Sequence, residues 1–158
     1  MAVLEVSGLT VRVGGLEVIH GISFSLQASE RTGLIGESGS GKTLTALAIM
    51  GLLPDGLSAS GSVNYRGGNL LTMRERELCR IRGDRLAMVF QEPMSALNPV
   101  MKIGEQIAEP LRVHRAMPRK PALQAAVAAL EKVHMPDAAE ITPIRLLGET
   151  VVPAVAGF

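Results

Sequence analysis

The sequence predicts a mixed α/β fold that opens on antiparallel strands and passes into helices. Three observations carry this. Residues 2–26 alternate apolar and polar side chains with the period of half-buried strands. Residues 31–50 read as a short apolar segment, a glycine-rich loop and an apolar helix. Beyond residue 92 the pattern turns to helical periodicity broken by prolines.

The elements follow in chain order. AVLEVSGLTVRV, residues 2–13, alternates in two pieces and ends at Gly14-Gly15. EVIHGISFSL, residues 17–26, alternates again, with Val18, Ile22, Phe24 and Leu26 able to share one face. Arg31-Thr32-Gly33-Leu34-Ile35 predicts a short buried strand, and residues 44–50 a helix that is apolar nearly all round, as on a covered sheet. PDGLSASGS, residues 54–62, is rich in turn formers and predicts a loop. A strand at 62–66 and a turn at 67–69 come next, then a helix over 74–82 with Leu78 and Ile81 inward. LAMVF, residues 86–90, predicts a buried strand. Helices are expected over 100–115 and 119–134, with Leu123, Ala126, Val127 and Leu130 on one face. Pro99, Pro110, Pro118, Pro121 and Pro136 punctuate this region.

The most informative stretch is Gly36-Glu37-Ser38-Gly39-Ser40-Gly41-Lys42-Thr43, which meets every fixed position of G-x-x-x-x-G-K-[ST]. A phosphate chain needs several donors aimed at one small volume. Glycines allow positive φ and close approach, so successive N–H groups can turn inward. Lys42 would supply a point charge for the β- and γ-phosphates, and the Thr43 hydroxyl would ligate Mg²⁺. The helix that begins here adds free N–H groups and the positive end of its dipole. A strand before and a helix after is the context this motif requires.

Composition excludes several classes. With a net charge of +1 there is no bulk attraction for nucleic acid, and three Phe, one Tyr and no Trp leave little for base stacking. The single cysteine, Cys79, rules out an internal disulfide, which fits a reducing compartment. The longest apolar stretch, Leu44 to Leu53, is too short to span a bilayer, and the N-terminus lacks the pattern of a secretory signal.

Residues 87–107, AMVFQEPMSALNPVMKIGEQI, add a second signal. Together with the glycine loop, this string resembles the ATP-binding subunit of an ABC importer, in particular the oligopeptide, dipeptide and nickel subfamily. SGSVNYRGGNLLTM at 60–73 is similar to the family's segment between its two motifs. The resemblance runs from about residue 3 to about residue 140. It implies a P-loop NTPase of ABC type: an N-terminal antiparallel portion, a partial parallel core, then a helical subdomain. It implies that Gln91 is the glutamine that contacts Mg²⁺ and water and senses the γ-phosphate. The implied cofactors are ATP and Mg²⁺. The implied partners are membrane-spanning permease subunits and a second ATP-binding subunit, identical or not, with no nucleic acid. The implied place is the cytoplasmic face of the inner membrane, held peripherally.

Two departures from the family pattern stand out. The family places an aromatic residue in the N-terminal strand region to stack on adenine, and here that place is Val13. An aliphatic side chain gives up stacking worth roughly 1–3 kcal/mol per base in nucleic-acid systems. Further on, the family continues with a YPHQLSGG-type signature, an acidic strand carrying an aspartate and the hydrolytic glutamate, and a switch histidine. The chain reads ITPIRLLGETVVPAVAGF at 141–158 instead. No catalytic residue of that set is found, so phosphate binding is expected with poor turnover by this chain alone. The expectation is a fragment, a premature stop or a frameshift near residue 140. The 31–35 strand would then lie at an exposed sheet edge.

The remaining titratable residues carry less. His20, His114 and His134 show no metal-ligand spacing. Cys79 is expected to be a half-buried thiol in a helix without a catalytic partner. Glu92 is read as a solvated loop carboxylate, and Glu105 with Glu109 as a polar helix face. The run from Arg74 to Arg85 is interleaved with Glu75, Glu77 and Asp84, so i,i+3 pairing such as Arg74–Glu77 is expected rather than a nucleic-acid patch.

The domain reading is 1–92 as the first part of the nucleotide-binding core, 93–140 as the start of a helical subdomain, and 141–158 as a tail outside the family pattern. The function reading is ATP binding that powers import of peptides or similar small solutes. A non-catalytic nucleotide-binding remnant and an unrelated soluble P-loop kinase or GTPase are the alternatives.

Overall fold

The computed structural model describes residues 2–90 and 97–140. It divides into two compact units, one running to Arg82 and the other beginning at Gly83. Gln91 and Glu92, and the tail at 141–158, lie outside the described residues.

The first unit is built on one antiparallel sheet of order β2-β1-β3-β4. Its strands are β1 (Ala2–Val13), β2 (Leu16–Gln27), β3 (Leu57–Tyr65) and β4 (Gly68–Asn69). The two-piece alternation of β1 has a physical cause. The ladder slips at Ser7-Gly8, where Gly8 has φ 58, so the buried face changes from Leu4 and Val6 to Leu9 and Val11. Gly61 on β3 faces this bulge with φ 100, and a Cβ there would run into the Gly8 carbonyl. Gly8 N–H, free of the ladder, donates to Ser23 Oγ at 2.8 Å. Leu9, Val11 and Val63 are fully buried, and Val6 nearly so.

The same device corrects the expected face of β2. Ile22, Phe24 and Leu26 do share the half-buried side, but Gly21 (φ 64) interrupts the alternation and Ile19 takes the buried place next in line. β3 also begins earlier than the turn-rich composition suggested. LSASGSVNY pairs along β1 from Leu57↔Val13 to Tyr65↔Leu4, so a ready-made ladder overrides weak local propensity.

Two expected buried strands are not formed. Residues 31–35 and 87–90 are irregular, and all sheet pairings among the described residues are antiparallel. Leu34 and Ile35 are 54% and 97% exposed, and Val89 and Phe90 are 59% and 40% exposed. An apolar segment becomes a buried strand only when neighbours satisfy its N–H and C=O groups and cover its faces, and none of the described residues does so here.

The helix α1 (Lys42–Met50) follows the loop and ends in a left-handed Gly51 whose N–H returns to Ala48 and Leu47. A 3₁₀ turn at Leu70–Thr72 is capped by the Asn69 side chain, and α2 (Glu75–Ile81) buries Leu78. The Arg74–Glu77 pair forms as expected, at 3.1 Å. Cys79 proves exposed, with Sγ 3.4 Å from the Glu75 carboxylate, because Leu78 takes the inward position on this two-turn helix.

In the second unit, α3 (Ile103–Arg115) and α4 (Arg119–Lys132) pack through small residues, Ala108 against Ala122 and Ala126. A second cluster joins Ile103, Leu130 and Ala139. Pro110 lies inside α3 rather than ending it, and Pro121 sits in the first turn of α4, where its missing N–H costs nothing. Glu105 accepts from Arg119 Nε of α4 at 2.9 Å and forms an ion pair with Arg112 of its own helix at 3.8 Å.

Candidate phosphate-binding site

The site is assembled by one local turn and one helix terminus. Residues 36–41 curl back on themselves, with Ser40 N–H donating to Glu37 O at 3.2 Å. Gly39 (φ 79) and Gly41 (φ 87) take left-handed backbone, which favours glycine at both. Gly36 is closely approached in another way: a Cβ there would lie 2.5 Å from Ser40 Oγ. Gly41 caps α1 and packs on β2, where a Cβ would run into the Ile19 side chain.

The α1 N-terminus has no side-chain cap and no acidic residue in its first turn. The first intrahelical bond runs from Thr45 N–H to Gly41 O at 2.8 Å. The N–H groups of Gly41, Lys42, Thr43 and Leu44 therefore have no partner within the helix. Lys42 folds its ammonium back into the loop and donates to Gly36 O at 2.8 Å, Glu37 O at 2.6 Å and Ser40 Oγ at 3.1 Å. This puts the one positive side chain of the motif at the focus of the turn. Thr43 stands exposed on the first turn, while Thr45 is buried beneath it. Orphan amides, a helix dipole and a lysine together suit a polyphosphate. A Mg²⁺ ion carried by those phosphates would find the Thr43 hydroxyl free to ligate it.

The structure thus brings Gly36, Glu37, Ser38, Gly39, Ser40, Gly41, Lys42 and Thr43 into one turn. Gln91 lies outside the described residues. Val13 ends β1, paired with Leu16 and Leu57, and both Val13 and Leu16 are exposed, at 40% and 69%. Among the described residues no group of three or more His, Cys, Asp or Glu could hold a metal. One feature had little sequence signal. Arg82, read only as part of a solvated basic run, reaches back to the end of α1.

An antiparallel β-subsheet with a phosphate-type loop opening a helix in one unit, and a helical second unit, define an ATP-binding cassette fold. Solved cassettes agree. The chain superposes on a dimeric post-hydrolysis structure of the ATP-binding cassette MJ0796, bound to ADP and Pi, with TM-score 0.74 and 22% identity, covering 89% of this chain and 61% of that one. A second dimeric structure of MJ0796, described as a bacterial ABC transporter cassette, gives 0.75 at 21% identity and 62% of its length. Residues 19–148 match the ABC transporter family, and the chain belongs to it. It is 41% identical over 139 residues to the oligopeptide transport ATP-binding protein OppD of Salmonella typhimurium, spanning 85% of this chain and 42% of that protein. It is 40% identical over 139 residues to OppD of Haemophilus influenzae, spanning 85% and 43%. The chain therefore spans about two fifths of the length of these relatives. Family membership sets aside the soluble kinase or GTPase reading. Among the described residues no helix is long and apolar enough to cross a membrane.

Proposed function

We propose that residues 36–43 bind the phosphates of ATP with Mg²⁺, and that the chain serves ATP-driven import of peptides or similar small solutes. The observation that carries this reading is the Lys42 ammonium held at the focus of a glycine turn on an uncapped helix N-terminus. The family match and the two OppD relatives support the transport part.

The roles divide by chemistry. The amides of residues 39–43 would take phosphate oxygens as acceptors. Lys42 would exchange its carbonyl partners for the β- and γ-phosphates. The Thr43 hydroxyl would complete the Mg²⁺ shell with the phosphate oxygens, and Gln91 would add a polar contact to metal and water. Val13 and Leu16 offer the base an apolar surface without stacking. ATP binding would draw this chain against a second ATP-binding subunit and pass the motion to membrane permease subunits. The chain would then work as a peripheral protein on the cytoplasmic face of the inner membrane.

Titration calorimetry with Mg-ATP tests the site. Binding by the wild-type chain, weakened at least about tenfold by Lys42→Ala, is expected, since one charge-assisted contact is worth about 1.5–3 kcal/mol. Equal affinity in the two proteins would sink the assignment. ATP turnover followed on the same samples separates binding from hydrolysis.

A further inference from the structure

Arg82 lies at the carboxyl end of α2, yet its side chain is only 16% exposed and serves a different helix. Nε donates to Met50 O at 2.7 Å and Nη2 to Gly51 O at 2.7 Å, while Nη1 pairs with Glu75. Met50 is the last residue of α1 and Gly51 its C-cap. The guanidinium thus fills the carbonyl-rich end of the helix whose opposite end is the phosphate loop. The approach is close. A Cβ on Gly51 would sit 2.7 Å from Nη2 and 3.1 Å from Leu78 Cδ1.

The helix needs such a tether. It has nine residues, about 13 Å in length, and a helix that short is marginal by itself. Its register is fixed by buried Thr45, Ala48 and Met50, by Gly41 against Ile19, and by Arg82 at the far end. The planar fork answers two carbonyls and one carboxylate at once, which a lysine ammonium on a flexible stem cannot match. Its charge also complements the negative end of the helix dipole.

We propose that Arg82 is a positioning residue of the phosphate site: by clamping the carboxyl end of α1 it holds the first turn, with Lys42 and Thr43, in the register that a nucleoside triphosphate requires. Glu75 orients the guanidinium. The proposal rests on the reading that residues 36–43 bind phosphate.

The test uses the full chain below the melting temperature of every variant. Mg-ATP affinity is measured for wild type, Arg82→Met, Arg82→Lys and Glu75→Gln, together with the amide ¹H–¹⁵N shifts of Lys42 and Thr43. Arg82→Met is expected to weaken binding about fivefold and to move both shifts, although they lie at the other end of the helix. Arg82→Lys should fall between it and wild type, and Glu75→Gln should cost about twofold. Wild-type affinity and unmoved shifts in Arg82→Met would make the residue a purely local cap and overturn the proposal. Should Arg82→Met not fold, Arg82→Lys decides by the same two readouts. Should the wild-type chain fail to bind Mg-ATP, the phosphate reading falls, and the Lys42 and Thr43 shifts still decide whether Arg82 sets the first turn.

Discussion

Replacing Gly41 with alanine tests the junction between loop and helix most directly. Two costs follow from its geometry. The residue has φ 87, a conformation that costs an L-residue roughly 1–2 kcal/mol. The new Cβ would also run into Cδ1 of Ile19, which is only 5% exposed and has little room to turn. Driving that side chain off its rotamer adds about 0.5–1.5 kcal/mol. Together the substitution should destabilise the first unit by about 2–3 kcal/mol, a large share of the roughly 5–15 kcal/mol typical of a domain. Gly33→Ala is the control. It lies just before the same loop, its φ is not in the left-handed region, and nothing stands within 4 Å of its Cβ. Urea unfolding of the two variants and wild type gives the comparison, with Gly33→Ala within about 0.5 kcal/mol of wild type. Gly41→Ala should also weaken Mg-ATP, since tilting the first turn misaims the amides. A Gly41→Ala protein as stable as wild type would refute the reasoning, because neither the strain nor the contact with Ile19 would then be real.

Other expectations follow from the same geometry. Leu9→Ala, at a fully buried site on the β1 bulge, should cost about 2–5 kcal/mol in urea unfolding, by transfer and cavity terms. Ser29 has φ 62 in the turn between Gln27 and Glu30, so Ser29→Gly should raise stability by about 0.5–1 kcal/mol, read as a higher urea midpoint. Acid should weaken the fold in a defined window. Hydrogen bonds from Arg12 and then His20 lower the Glu17 pKa, those from Arg82 and then Cys79 lower Glu75, Arg74 lowers Glu77, and Lys102 lowers Glu140. A carboxylate lowered in the folded state adds stability that is complete above its ordinary value of 4.5 and is lost as pH falls through the folded value. Urea midpoints should therefore be level above pH 5 and fall below about 4.5, and Glu75→Gln should make that fall shallower. A midpoint that rises on acidification would contradict the sign.

The sequence by itself determined the loop, because G-x-x-x-x-G-K-[ST] is a local device. Its glycines, lysine and helix start interact within eight residues, so spacing alone specifies the turn around Lys42. It also determined α3 and α4, whose faces are written in 3.6-residue periodicity, and the alternation of β1 and β2. Tertiary structure decided what depends on a distant partner. Gly8 and Gly21 shift which residues of β1 and β2 are buried, a bulge that period-2 reading passes over. LSASGSVNY becomes a strand only because β1 offers a ladder, whereas the more apolar segments 31–35 and 86–90 gain no ladder and stay largely exposed. A strand's backbone bonds lie outside itself, so composition sets its appetite for pairing and the neighbours decide the outcome. Arg82 is the same lesson in one side chain. Its partners at Met50 and Gly51 lie 32 and 31 residues away in sequence, and no spacing rule connects them.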